Sequence, residues 1–240
     1  MLKHPFVFPR ALFLVLFAGT SVRTMAMPET STNAMSLTVE EARISKLREL
    51  HPEVADRYSD IVNQAKSSFD HAGDYEEMSL LTHHTGKKLW EAAKRTVAEQ
   101  AILDDRSLYW SRLSLTAYLR ASQLAVPLSS NQRISLIERL ENSSRGRDSI
   151  EFTAGAVKKI LVTGFDPFLL DKHIDQSNPS GIVALNLDGQ TLTYGQASAE
   201  IQTVIFPVRF EDFDAGEVEQ LIEPLLKTRQ VDMIVTVSMG

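Results

Sequence analysis

Two kinds of hydrophobic pattern divide the chain. Between residues 38 and 141 apolar side chains recur every three to four positions, and after residue 150 they come in short unbroken runs. The first pattern predicts amphipathic helices, the second buried strands. Thr38-Val39-Glu40-Glu41 sets a hydroxyl three residues ahead of a carboxylate, the signature of a capping box. A helix should follow to about Leu50 and stop at His51-Pro52, since the residue before proline leaves the helical region. Another is expected from Pro52, tolerated in a first turn, to Phe69, with a turn at His71–Asp74. Leu89, Trp90, Ala93, Val97, Ala101 and Ile102 predict a helix over 85–103. Residues 105–125 are apolar around a wide arc, the mark of a helix central to its bundle. Ile134, Ile137 and Leu140 predict a last one over 131–141, and the polar run Asn142–Asp148 reads as a linker.

Beyond residue 150 the runs in Lys159–Thr163, Ile201–Phe206 and Met233–Val237 predict strands buried on both faces. Asn178-Pro179-Ser180 can open a short helix ending at Asn186. Ala215, Val218, Leu221, Ile222 and Leu225 share one face of a helix over Asp212–Lys227, in which Pro224 should cause a kink or remove a hydrogen bond. Strands alternating with helices predict an α/β unit with a largely parallel sheet. The fold class expected is therefore an all-α N-terminal region followed by a three-layer α/β domain.

Composition narrows the function. Apolar residues make up 43% and charged ones 23%, the balance of a globular chain. A net charge of −6 argues against nucleic acid, which attracts basic surfaces, and the acidic excess falls mainly after residue 150. There is no cysteine, hence no disulfide, thiolate metal site or cysteine nucleophile in these residues. At the N-terminus, Lys3 and Arg10 precede the apolar run Ala11–Gly19, and Thr24-Met25-Ala26 offers small residues for cleavage. This is the layout of a secretory signal peptide, too short for a membrane span. It predicts export to the periplasm or medium with no membrane attachment after cleavage; the alternative is a cytoplasmic protein that starts further along. The expected division is a signal peptide over 1–26, a linker over 27–37, a helical bundle over 38–141, a linker over 142–157 and an α/β unit over 158–240.

Few residues offer chemistry. Gly164-Phe165-Asp166-Pro167-Phe168 ends the first predicted strand, where open α/β sheets bind ligands. Read alone, it is a turn whose rings fold into the core. One glycine makes neither a phosphate loop nor a dinucleotide fingerprint. Ser177, Ser180 and Ser238 lie near strand ends without a nucleophile elbow, and His173 is a loop histidine among aspartates. His83-His84 lacks metal-ligand spacing and reads as solvated at a helix end. Asp104-Asp105-Arg106 with Leu108, Tyr109 and Trp110 offers either a functional surface or, the reading preferred, a helix start followed by core aromatics.

The wider stretch is more specific. KKILVTGFDPF, then NPSGIVALNLDG, then AEIQTVIFPVRFED and DMIVTVSMG, in that order and spacing, resembles the N-terminal part of the pyroglutamyl peptidases, also called pyrrolidone carboxyl peptidases. The likeness covers residues 158–240. It implies a compact α/β sandwich and hydrolysis of the amide after an N-terminal pyroglutamate, by a Cys-His pair oriented by an acidic residue, with no metal or cofactor. It also implies that Phe165 and Phe168 line the lactam pocket. A small, flat, mostly apolar lactam suits aromatic faces. The partner implied is a peptide with an N-terminal pyroglutamate, and self-assembly into a homo-oligomer stays open. The sequence departs from the family in having neither the catalytic cysteine nor the later histidine at its place, and a cysteine peptidase cannot act without its thiolate. Two readings result: a truncated, inactive N-terminal piece of such a peptidase, or a non-enzymatic binding or scaffold protein that uses its helical bundle for partner contact.

Overall fold

The computed structural model describes residues 34–153, 158–228 and 230–239. The signal peptide expected over 1–26 and most of the linker expected over 27–37 lie outside them, as do residues 154–157 of the second linker. The chain opens with a 3-10 turn, Glu41–Arg43, and the helices α1 (Ile44–Leu50), α2 (Pro52–Ala55), α3 (Ser59–His71), α4 (Tyr75–Ala98), α5 (Arg106–Ala121) and α6 (Ser130–Ser144). Next come β1 (Lys158–Phe165), α7 (Pro179–Leu187), β2 (Thr191–Tyr194), β3 (Ala197–Phe206), α8 (Phe210–Asp214), α9 (Glu217–Lys227) and β4 (Met233–Thr236). A helical N-terminal region followed by an α/β part is the arrangement that the change of hydrophobic period implied. No helix among the described residues is long and apolar enough to cross a membrane.

Local chemistry explains the boundaries. The Thr38 box forms: Thr38 Oγ1 accepts from the Glu41 N–H at 3.1 Å and Glu41 Oε2 from the Thr38 N–H at 2.8 Å. The helix expected over Pro52–Phe69 is two, because the chain turns at Asp56–Tyr58 to carry the Tyr58 ring inward. Its hydroxyl donates to Thr96 Oγ1 at 3.0 Å. Helix α4 starts ten residues before the apolar periodicity suggests, where Asp74 caps the Glu77 N–H at 2.8 Å. His83 and His84 therefore sit inside a helix rather than at its end. The linker expected from Asn142 begins as helix instead. Helix α6 runs to Ser144, with Ser143, Ser144 and Arg145 buried; these polar side chains are drawn in by neighbours that the sequence pattern does not reveal. Gly86 allows the contact, since a Cβ there would stand 2.0 Å from Ser143 Oγ.

The sheet order is β2-β3-β1-β4. β1 pairs in parallel with β3 and β4, while β2 pairs antiparallel with β3, so the sheet is mixed with parallel pairs predominating; β4, expected to be buried on both faces, is an edge strand and mostly exposed. β2 escapes sequence reading because all four of its residues are exposed. The helix expected over Asp212–Lys227 is broken into α8 and α9 by Gly216 at φ 76°, a conformation that glycine adopts freely. Pro224 lies inside α9 as expected.

Helices flank both sheet faces. Val218, Leu221 and Leu225 of α9 pack with Leu161, Val204 and Phe206 on one side. On the other, Ala184 and Leu185 of α7 and Ile205 of β3 enter the same apolar cluster as Leu89, Trp90, Leu115, Leu136 and Leu140 of the helical region. Fully burying one such leucine contributes about 1.5–3 kcal/mol. The helical region therefore does not close its core alone; α7 and β3 complete it.

Candidate functional site

β1 delivers the Gly164–Phe168 loop at its C-terminal end, beside the N-terminus of α7. Gly164 is needed there: a Cβ would lie 2.4 Å from the Ser180 carbonyl oxygen. Two bonds tie the segments together. Ser180 Oγ accepts the Phe165 N–H at 3.0 Å, and Asn178 Nδ2 donates to the Asp166 carbonyl at 2.9 Å. Asn178 Oδ1 in turn accepts from the Ser180 N–H at 3.1 Å and its hydroxyl at 2.8 Å, capping α7. The two stretches that stood out in the sequence thus form one hydrogen-bonded unit, at the end of the sheet where parallel strands present their loops.

The two rings of that loop have different surroundings. Phe165 is half-buried, with ring centroids 6.3 Å from Phe206 and 6.2 Å from Phe213. Phe168 is also half-buried and takes part in none of the ring pairs found among the described residues. Between them Asp166 is buried. Its carboxylate meets two guanidinium groups of the helical region. Arg112 Nη2 lies 2.7 Å from both oxygens, and Arg145 Nη1 donates to Oδ2. Arg145 also faces Glu141 at 3.7 Å, and Arg209 reaches Glu141 at 2.9 Å and Asp212 at 2.6 Å. Burial alone would raise the Glu141 carboxyl, but Arg145 and Arg209 outweigh it and hold it at about 2. Burial lowers the affinity of the Arg112 guanidinium for its proton, as does Arg145 beside it; an arginine stays charged regardless. Arg112 Nε and Nη1 have no hydrogen-bond partner among the described residues, and buried unpaired donors cost about 1–3 kcal/mol each.

A second anchor holds the α7 side. Asp105, buried just ahead of α5, accepts the Asn178 N–H with both oxygens at 3.2 Å. Burial pushes its carboxyl up to about 7, against the hydrogen bonds from Asn178 and Ser177. Gly181 makes room for it: a Cβ there would stand 2.7 Å from Asp105 Oδ2 and 2.9 Å from the Phe165 carbonyl oxygen.

Arg112 and Arg145 do not stand out as site residues in the sequence, and Asp105 does so only within the Asp104–Arg106 stretch. Arg112 carries a weak signal in hindsight, a charge midway along a helix whose apolar residues span a wide arc. Asp105 reads as an ordinary helix start, and Arg145 lies in a polar stretch with no pattern. Ser180 lies in the first turn of α7, bonded to its cap Asn178 and to the Phe165 N–H, while His173 and Ser238 are exposed. His83 Nδ1 lies 3.2 Å from Asp148 and His84 is exposed. No group of three or more metal-ligating side chains occurs among the described residues. Two concavities lie elsewhere. A charged groove of about 790 Å³ runs past Glu40, Arg120, Glu141 and Arg209. An apolar depression of about 490 Å³ on the sheet is lined by Ile160, Leu192, Tyr194, Ala199 and Met233.

Residues 22–141 match the family described as PA0049 N-terminal domain, and residues 159–240 match PA0049, C-terminal domain. "Uncharacterized protein PA0049" of Pseudomonas aeruginosa is 30% identical over 189 residues, which is 69% of this chain and 34% of that relative. The chain therefore spans about a third of the length of the curated relative it matches. No solved structure matches it.

Proposed function

From the fact that this chain belongs to the PA0049 family, carrying its N-terminal and C-terminal domains in order, and from the geometry of its paired loops, we propose that it is the N-terminal portion of a pyroglutamyl-peptidase-like protein with a helical extension. The observation that carries this reading is the bonding of Gly164–Phe168 to Asn178–Ser180 at the C-terminal end of β1. A resemblance in two separate sequence stretches gains weight when both belong to one loop pair. The ligand is a peptide with an N-terminal pyroglutamate, its lactam held by Phe165 and Phe168.

These 240 residues contain no cysteine, so the thiolate and histidine for hydrolysis belong to further polypeptide of a longer protein. The relative's greater length supports this, as does the sheet itself. Leu192, Tyr194, Met233 and Val235 are exposed on one face, an apolar surface of the kind that further elements cover. On this reading the α/β part is the first portion of a larger three-layer fold, exported by its N-terminal segment. The lack of cysteine favours a second reading, a protein that binds such peptides without cleaving them.

The test is calorimetric titration of the chain with N-pyroglutamyl-alanine, with prolyl-alanine as control, alongside turnover of a pyroglutamyl anilide by a longer product. Selective binding that weakens at least about tenfold in Phe165→Ala and in Phe168→Ala supports the site. Equal binding of both dipeptides rejects it. Binding without turnover by the longer product selects the second reading.

A further inference from the structure

Three residues that close on the loop pair, Asp105, Arg112 and Arg145, come from neither loop. Arg112 lies in α5 and Asp105 just ahead of it, yet one grips the first loop and the other the second. We propose that Arg112 and Asp105 are positioning residues, through which the helical region sets the conformation of a pyroglutamyl site built on the α/β part. This rests on the reading of Gly164–Phe168 and Asn178–Ser180 as that site.

The geometry leaves Asp166 little freedom. Its N–H donates to the Phe206 carbonyl at 2.9 Å, its own carbonyl accepts from Asn178, and its carboxylate is gripped by Arg112 and Arg145. Asp166 stands one residue after Phe165 and two before Phe168, so moving its carboxylate turns the backbone that aims both rings. Asp105 acts likewise on α7, bonding the Asn178 N–H while Gly181 lets it sit against the first turn. Fold stability is a poor explanation for such an arrangement. Arg112 is buried with two of its N–H-bearing nitrogens unpartnered among the described residues, and a buried ion pair generally stabilises no better than apolar side chains of the same volume. What Arg112 Nη2, at 2.7 Å from both oxygens, and Arg145 together supply is a fixed place for the carboxylate. Both anchors converge on the loop pair, and both are donated by the helical region.

The consequence is that the helical region acts on ligand affinity rather than only on folding. The test uses the intact chain, with the dissociation constant for N-pyroglutamyl-alanine measured by calorimetry well below the unfolding midpoint, where every variant is folded. Arg112→Met should weaken binding at least about tenfold, with Arg112→Lys recovering part of it, because an ammonium keeps the charge but is a more compact, more strongly hydrated group on a different stem. The backbone amide signals of Phe165, Asp166, Phe168 and Asn178 should shift in both variants. If Arg112→Met does not fold, Arg112→Lys alone carries the comparison. A purely stabilising role would lower the denaturation midpoint and leave the affinity and these signals of the folded chain unchanged; that result overturns the proposal. If the wild-type chain does not bind the dipeptide, the pyroglutamyl reading falls. The anchoring is then judged on the amide signals alone: displaced signals in Arg112→Lys uphold it, and undisturbed ones refute it.

Discussion

Asp166 and Asp105 are both buried carboxylates, with different partners. Asp166 is matched by two guanidinium groups, whereas Asp105 is held by backbone and hydroxyl donors. Burial raises Asp105 from 3.8 to about 7, so between those values the folded chain holds a proton that the unfolded chain has released. Stability from this group is therefore full below about pH 4 and falls as pH rises towards 7, by on the order of 4 kcal/mol. Glu141 has the opposite sign. Its carboxyl is held at about 2 against an ordinary 4.5, so its contribution is present above 4.5 and disappears as pH falls towards 2. Urea unfolding of Asp105→Asn should lose the decline between pH 4 and 7 that the wild type shows while keeping the loss in acid; an unchanged decline would mean that Asp105 is not its source. At this scale the sequence was only partly legible. GFDPF and NPS stood out by type and order. The residues that grip them did not, because a charge becomes informative only once folding shows what it faces, and Asp105 and Arg145 face segments some 73 and 21 positions away.

Among the elements, α7 and β1 are joined by the absence of side chains as much as by bonds. Gly164 and Gly181 let strand, loop and helix approach within distances that a Cβ would forbid. Gly181→Ala would press a methyl group against Asp105 Oδ2 and the Phe165 carbonyl, and overpacking of this kind costs about 1–3 kcal/mol. Chemical denaturation should show that loss, whereas Gly189→Ala, with nothing within 4 Å but a φ of +77°, should show only backbone strain of about 1 kcal/mol. Elements with a cap, such as the first turns after Thr38 and the helix α6, or with a wide apolar arc, such as α5, could be read from the sequence. β2 could not, having no buried side to leave a pattern. The breaks before α3 and α9 follow from Tyr58 turning inward and Gly216 adopting positive φ, events that periodicity averages away.

For the molecule as a whole, the change of hydrophobic period near residue 150 marks a change of architecture without separating the cores. Leu89, Trp90 and Leu140 pack in one cluster with Ala184, Leu185 and Ile205, and the charged anchors cross between the same two parts. A helical region that shares its core and fixes the loop pair is part of the site's construction. Hydrogen exchange read by mass spectrometry tests this most directly, by comparing the protection of α5 with that of segment 164–181 in the intact chain. If the two form one unit, their slowest amides open together, with matching free energies and the same loss in Arg112→Lys. Lasting protection of α5 while the amides of 164–181 exchange freely would mean that the loops are not held by the helical region.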